Sequence, residues 1–279
     1  MIRLKLRLEF EGSATCGWQL QSESEEARQP SLQGLLESTI AIVLRRGGER
    51  FVVQGCGRTD AGVHAEEFFC HVDLPDGDWD EAGALERFRH KVNSILPPQV
   101  VITRAELAPG FHALNDVERK IYRYNILLRR AKPVLRRGQC LWLPVAPDDV
   151  AALDLNRIRL GLKILEGEHD FVAFAAANSS AKTTVRRLLR CEMQEAFLSE
   201  DESSGKLVQL SFEGTGFLKQ MVRNMVGTLI EVGQNRRTVE SIAELLGHTG
   251  RVGTRIEAGA CAPAEGLCLV KVFYGHGTC

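Results

Sequence analysis

Between two apolar runs lies Gly55-Cys56-Gly57-Arg58-Thr59-Asp60-Ala61-Gly62-Val63-His64-Ala65. Three glycines in eight residues let a backbone turn tightly and come close to a ligand. Arg58, Asp60 and His64 share this one loop, held between buried strands as a reactive cluster. An ionised carboxylate so held can attack a carbon centre or stabilise developing positive charge. A plainer reading stands beside it, in which Asp60 caps a turn and the glycines only close a connection. The spacing is no phosphate loop, because G-x-x-x-x-G-K-[ST] is absent. His64 reads as structural, since no metal-binding cluster surrounds it.

The flanking elements follow from periodicity. Ile2 to Phe10 alternates apolar and polar residues and predicts a half-buried strand. Ser31 to Arg46 predicts a helix capped by Ser31, with Leu32, Leu35, Leu36, Ile40, Val43 and Leu44 on one face. Phe51-Val52-Val53 and Phe68 to Val72 predict the strands beside the loop. Asp80 to Leu96 predicts a second helix with Leu85, Phe88, Val92 and Ile95 inward, and Val100 to Leu107 a strand. The order β-α-β-β-α-β suggests a ferredoxin-like α+β unit. The second half follows a similar plan. Strands are expected at Lys120 to Leu128, Gln139 to Val145 and Leu267 to Tyr274, and a hairpin at Val185 to Phe197 and Lys206 to Phe217. Helices are expected at Asn156 to Glu166, Leu218 to Val232 and Val239 to Leu246. A chain of 279 residues suits two domains, here 1–110 and 111–279, with the boundary between about Pro109 and Val117.

The net charge of −1 does not by itself suggest nucleic acid. Its distribution does. Arg119 to Arg137 holds eight basic residues and no acid, and Lys182, Arg186, Arg187 and Arg190 form a second group. Acids gather instead at Glu23 to Glu26, Asp73 to Glu81 and Glu200 to Glu202. Such segregation allows a local phosphate-binding face, Arg129 and Arg130 included. The N-terminus alternates charge with Leu and is no secretory signal, and no run approaches the ~18 apolar residues of a membrane span. Eight cysteines without a C-x-x-C pair read as buried reduced thiols, hence a cytoplasmic expectation.

Gly57 to Ala65 resembles the signature of the TruA family of tRNA pseudouridine synthases. Further segments support the resemblance in order along the chain. Phe10-Glu11-Gly12 with Gly17-Trp18-Gln19 resembles the N-terminal motif, and Phe111-His112-Ala113 the domain junction. Lys120 to Tyr124 resembles the motif with the active-site tyrosine, and Phe217 to Gly227 the third active-site motif. Ala262 to Leu267 resembles the C-terminal one.

The resemblance implies the pseudouridine synthase fold, in which two ferredoxin-like (RRM-like) subdomains with mainly antiparallel sheets join around a basic cleft. It implies isomerisation of uridine at tRNA positions 38, 39 and 40 in the anticodon stem-loop, by a homodimer without cofactor or metal. Asp60 would detach uracil from the ribose, after which the base rotates and rejoins through C5. Arg223 would pair with Asp60 and oppose the pKa rise that desolvation brings. Tyr122 would stack on the base and could accept the C5 proton. From its strand alone, with Tyr124 and Ile126 on the same face, it reads as core. Arg58 would replace the flipped nucleotide, whose extraction costs a few kcal/mol, and Leu267 would wall the uracil pocket. Cys16 and Gln220 depart from the family, which commonly has an aromatic residue and His there. Two rivals remain: the same chemistry on another RNA site, and a catalytically idle RNA-binding or chaperone protein. A glycoside hydrolase would need a second placed acid, and these motifs hold none.

Overall fold

The computed structural model describes residues 1–22, 28–77, 79, 81–146, 149, 152–176, 181–198 and 205–275. The acids Glu23 to Glu26 and Glu200 to Glu202, the helix start at Asp80, and Cys279 lie outside these residues. The protein is α+β, with mostly antiparallel strands and few helices, in two units: Met1–Glu118 with Leu269–Cys279, and Arg119–Cys268.

The first unit contains β1 (Ile2–Phe10), α1 (Leu32–Val43), β2 (Val53–Gly55), β3 (His64–Leu74), α2 (Ala84–Asn93) and β4 (Val100–Leu107). Its strands run β4-β1-β3-β2, each antiparallel to its neighbour. Period-two alternation explains β1. Leu4, Leu6 and Leu8 are fully buried on one face. The other face carries Arg3, Lys5 and Arg7, each held by a carboxylate: Asp73 at 2.7 Å, Glu106 at 3.2 Å and Glu67 at 3.0 Å. The Lys5 ammonium also lies 4.7–5.1 Å from the ring centres of Phe69, Phe111 and Tyr274, where the negative ring faces favour a cation.

Helix α1 begins where Ser31 accepts the Gly34 N–H at 3.0 Å, satisfying one of the orphan donors of a helix start. Helix α2 is shorter than its pattern suggests. It ends at Asn93, so Ile95 falls beyond it and is 45% exposed rather than inward. The strand expected at Phe51 to Val53 is displaced to Val53–Gly55, where it pairs with Val72 to Cys70.

The last strand, β10 (Leu267–Tyr274), belongs to this first unit from Leu269 onward. The buried Glu67 carboxylate receives it, accepting the Val272 N–H at 3.1 Å and the Lys271 ammonium at 3.1 Å. Tyr274 donates its hydroxyl to the Ala113 carbonyl at 2.8 Å.

The second unit comprises most of β5 (Val117–Leu128), with β6 (Leu141–Leu143), α3 (Leu155–Leu165), β7 (Gly167–Asp170), β8 (Val185–Phe197), β9 (Lys206–Gly214), α4 (Met221–Gly233) and α5 (Glu240–Leu245). The order β5-β9-β8-β7 is antiparallel, and β6 pairs parallel to the end of β5. Asp154 caps α3 by accepting the Asn156 N–H at 2.9 Å. Tyr124, Ile126, Leu210, Phe212, Met225 and Leu229 are fully buried and supply its core.

Candidate active site

In the first unit, the Asp60 loop is clasped by the segment that follows β1. Trp18 N–H donates to the Thr59 carbonyl at 3.1 Å, and Gly62 N–H to the Gly12 carbonyl at 3.2 Å. Gly17 and Asp60 form an isolated antiparallel bridge. Val63 N–H closes the turn onto the Asp60 carbonyl at 3.2 Å. The clasp needs glycine. A Cβ on Gly12 would sit 2.1 Å from the Val63 carbonyl oxygen, and one on Gly17 2.6 Å from that of Thr59. Gly17 also holds φ +105°, a conformation other residues rarely adopt. Beneath the loop, Trp18 packs on Phe68 with ring centres 4.4 Å apart, and a Cβ on Gly55 would strike the Trp18 ring at 2.6 Å.

His64 begins β3 and is 9% exposed, its Nδ1 accepting the Gly12 N–H at 3.2 Å. It fastens the clasp, in line with its structural reading. Asp60 itself is half-buried and Arg58 exposed. The N-terminal motif and the nine-residue signature are therefore two sides of one contact. The spacing of the sequence could not reveal this, because the pairs lie roughly forty to fifty residues apart.

In the second unit, Tyr122, Tyr124 and Ile126 share the buried face of β5. The two tyrosines differ. Tyr124 is fully buried, its hydroxyl donating to the Pro263 carbonyl at 2.8 Å, and burial pushes its pKa up. Tyr122 is 9% exposed and meets Phe217 edge-on at 4.9 Å. Arg223 lies in the first turn of α4, half-buried, and its Nε donates to the Ala262 carbonyl at 2.8 Å while Ala262 N–H returns to the Arg223 carbonyl at 3.1 Å.

The segment from Gly259 to Leu267 thus ties the start of α4 to β5. Thr228 Oγ1 accepts the Gly259 N–H at 2.9 Å. Gly227 lies so close to this segment that a Cβ would fall 1.6 Å from the Ala260 carbonyl oxygen, and one on Gly266 would fall 2.5 Å from the Tyr124 ring. Leu267, at the end of the segment, is buried. Gln220 stands just before α4 with φ +59°, a left-handed turn that its residue type does not signal.

Arg129 and Arg130 follow the far end of β5. Arg129 lies seven positions after Tyr122, roughly 20 Å or more of extended chain. These cations are remote from Tyr122, as a backbone-holding role allows. In the second basic group Arg190 is held by Glu192 at 2.5 Å. Burial lowers the pKa of Arg186, whose guanidinium donates to the Thr183 carbonyl at 3.0 Å.

Among the described residues no group of three or more His, Cys, Asp or Glu is arranged to hold a metal ion. Nor is any helix among them long and apolar enough to cross a membrane.

Comparison with known proteins agrees with these motifs. A family model described as tRNA pseudouridine synthase matches residues 162–275. A protein of Citrifermentans bemidjiense named tRNA pseudouridine synthase A is 37% identical, over 98% of this chain and 98% of its own. Its namesake from Myxococcus xanthus is 39% identical over 99% of this chain and 94% of its own, and that from Geobacter sp. strain M21 is 36% identical over 98% and 99%. Among solved structures, a CRISPR-associated Cas6 chain covers 76% of this one at a TM-score of 0.22 and 11% identity, too weak a likeness to bear on fold or function. With relatives of this identity along nearly its whole length, the chain belongs to the tRNA pseudouridine synthase A family and is a pseudouridine-forming isomerase.

Proposed function

We propose that the enzyme isomerises uridine to pseudouridine at positions 38, 39 and 40 of the tRNA anticodon stem-loop, with Asp60 as the catalytic carboxylate. The observation that supports Asp60 most directly is its setting. A half-buried carboxylate sits on a loop whose backbone is fixed by Gly12, Gly17 and Trp18, and such fixing is what a reacting group requires. Asp60 breaks the glycosidic bond, by attack or by promoting elimination. The freed uracil turns and bonds through C5, and Tyr122 stacks on it and takes the C5 proton. Arg223 keeps the carboxylate ionised as RNA excludes water. Arg58 fills the place of the flipped nucleotide, Leu267 walls the uracil pocket, and Arg129 and Arg130 hold tRNA phosphates.

That the chemistry draws on residues from both units is part of this proposal and rests on the family. So are the division into two ferredoxin-like domains, the homodimer and the cytoplasmic setting.

The decisive assay is tritium release from tRNA labelled at uridine C5. Asp60→Asn removes the charge with little change of shape. It is expected to lower turnover at least ~10³-fold while tRNA binding persists. Turnover by Asp60→Asn near the wild-type rate would overturn the assignment. Mapping pseudouridine in the product tests positions 38 to 40; modification elsewhere would correct the site and leave the chemistry standing.

A further inference from the structure

The loop between β5 and β6 combines two features. The first is a run of cations that form no ion pair among the described residues. By contrast, Arg3 on β1 is held by Asp73 and Arg119 on β5 by Glu213. Among the described residues, no carboxylate forms an ion pair with Arg129, Arg130, Lys132, Arg136 or Arg137. The second is the apex. Val134 is 80% exposed and Leu135 96% exposed, two adjacent apolar side chains in water, flanked in sequence by Lys132 and Arg136. A single exposed Leu is ordinary; an adjacent pair at the summit of a basic loop is not.

The loop is also built to present that pair. Arg137 N–H donates to the Val134 carbonyl at 3.3 Å and Gln139 N–H to the Arg136 carbonyl at 3.2 Å, closing two successive turns. Pro133 is buried below the apex. The Trp142 indole donates to the Arg129 carbonyl at 2.7 Å and fixes the loop's base.

We propose that this loop is an RNA-gripping finger, in which the cations hold phosphates and the Val134–Leu135 apex packs against unstacked base faces. The proposal rests on the tRNA reading above and extends it from charge to an apolar contact remote from Tyr122. Two features favour RNA. The charge complements a polyanion, and apolar wedges flanked by Arg or Lys are a recurrent means of gripping nucleic acid at unstacked steps. A membrane surface is disfavoured, since two residues offer far less apolar area than a membrane-bound amphipathic helix.

The test uses the full-length enzyme with Val134→Ser and Leu135→Ser combined, tRNA affinity being measured across a salt series. Affinity is expected to fall ~10-fold at every salt concentration with the salt slope unchanged. Leu135→Phe should bind as tightly as wild type or tighter, which guards against a folding artefact. Arg136→Gln with Arg137→Gln should instead flatten the slope by about 0.7–0.9 for each phosphate no longer held. Wild-type affinity in the serine variant would overturn the proposal. So would a weakened affinity matched by loss of self-association in light scattering, which would assign the apex to a second copy. Loss of binding to phosphatidylserine vesicles with tRNA affinity intact would assign it to a membrane. Tritium release by the wild type separates this from the catalytic reading. Release with an indifferent apex sinks only the finger, and no release with a sensitive apex sinks only the proposed chemistry.

Discussion

The loop that carries Asp60 and the loop that carries Arg129 to Arg137 both join strands, and both are rich in arginine or glycine, yet they are held in opposite ways. Around Asp60 the restraint is backbone against backbone, with Gly12 and Gly17 admitting contacts that no side chain would allow. The basic loop is fixed at its base and in its turns, while Arg130, Lys132, Arg136, Arg137 and the apex are exposed. A reacting group gains from immobility, because a small misplacement is expensive in rate. A phosphate-holding group gains from exposure and reach, because its partner is long, mobile and of one charge. The same chain uses both designs.

Substitution at the glycine clasp should have the largest effect. Gly12→Ala places a Cβ 2.1 Å from the Val63 carbonyl oxygen, so the loop must move. We expect a loss of ~3 kcal/mol in stability, as for overpacking, and a fall of ~10²-fold in turnover. Calorimetry and tritium release read the two, and a variant with wild-type turnover would show that the clasp does not position Asp60. The counterpart, Gly138→Ala, meets open space at φ +77°. It should cost about 1 kcal/mol and leave chemistry on bound tRNA untouched, so an equal loss of turnover would erase the contrast between the loops.

A second effect, of intermediate size, lies at the base of the first unit. His71 is buried beside Arg3 and His112, and burial first, then those two charges, lower its pKa to about 4. Its Nδ1 accepts the Ala113 N–H at 3.1 Å. Because the folded-state value lies below the ordinary 6.5, the unfolded chain binds the proton more readily. Stability from this group is complete above pH 6.5 and is lost as pH falls towards 4, by an amount on the order of 2 kcal/mol. Unfolding midpoints between about pH 4 and 7 test it. His71→Asn should flatten that portion of the profile, and an unchanged profile would remove His71 as its source.

Arg129→Gln with Arg130→Gln should produce the next effect. Releasing two phosphates is expected to weaken tRNA binding ~10-fold at moderate salt and to flatten the salt dependence. An unchanged slope would mean that neither arginine meets a phosphate.

Much of this architecture is legible in the sequence because burial writes a period. Leu4, Leu6 and Leu8 announce β1, Val208, Leu210 and Phe212 announce β9 similarly, and Ser31 marks the start of α1. Strand β7 carries no such signal. Gly167-Glu168-His169-Asp170 has no apolar alternation and becomes a strand only by pairing with Arg187 and its neighbours on β8. The helix expected from Leu218 starts at Met221 because Gln220 adopts a left-handed turn, which a glutamine does not announce. At the site, the nine-residue signature is legible as a motif, whereas the reason for Gly12 and Gly17 is not. Their role depends on how near Val63 and Thr59 come, a quantity set by tertiary structure. Likewise, the sequence shows a basic run but not that Arg119 within it is held by Glu213.

The return of β10 to the first unit has a consequence for synthesis. The ribosome makes Met1–Glu118 first, then Arg119–Cys268 of the other unit, and only afterwards the strand that Glu67 receives. At about 5–20 residues per second, the first unit waits on the order of ten seconds or more for its final piece. During that interval the Glu67 carboxylate has neither Lys271 nor the Val272 N–H. The nascent chain must therefore keep an unfinished sheet edge from seeking other partners until the closing strand arrives.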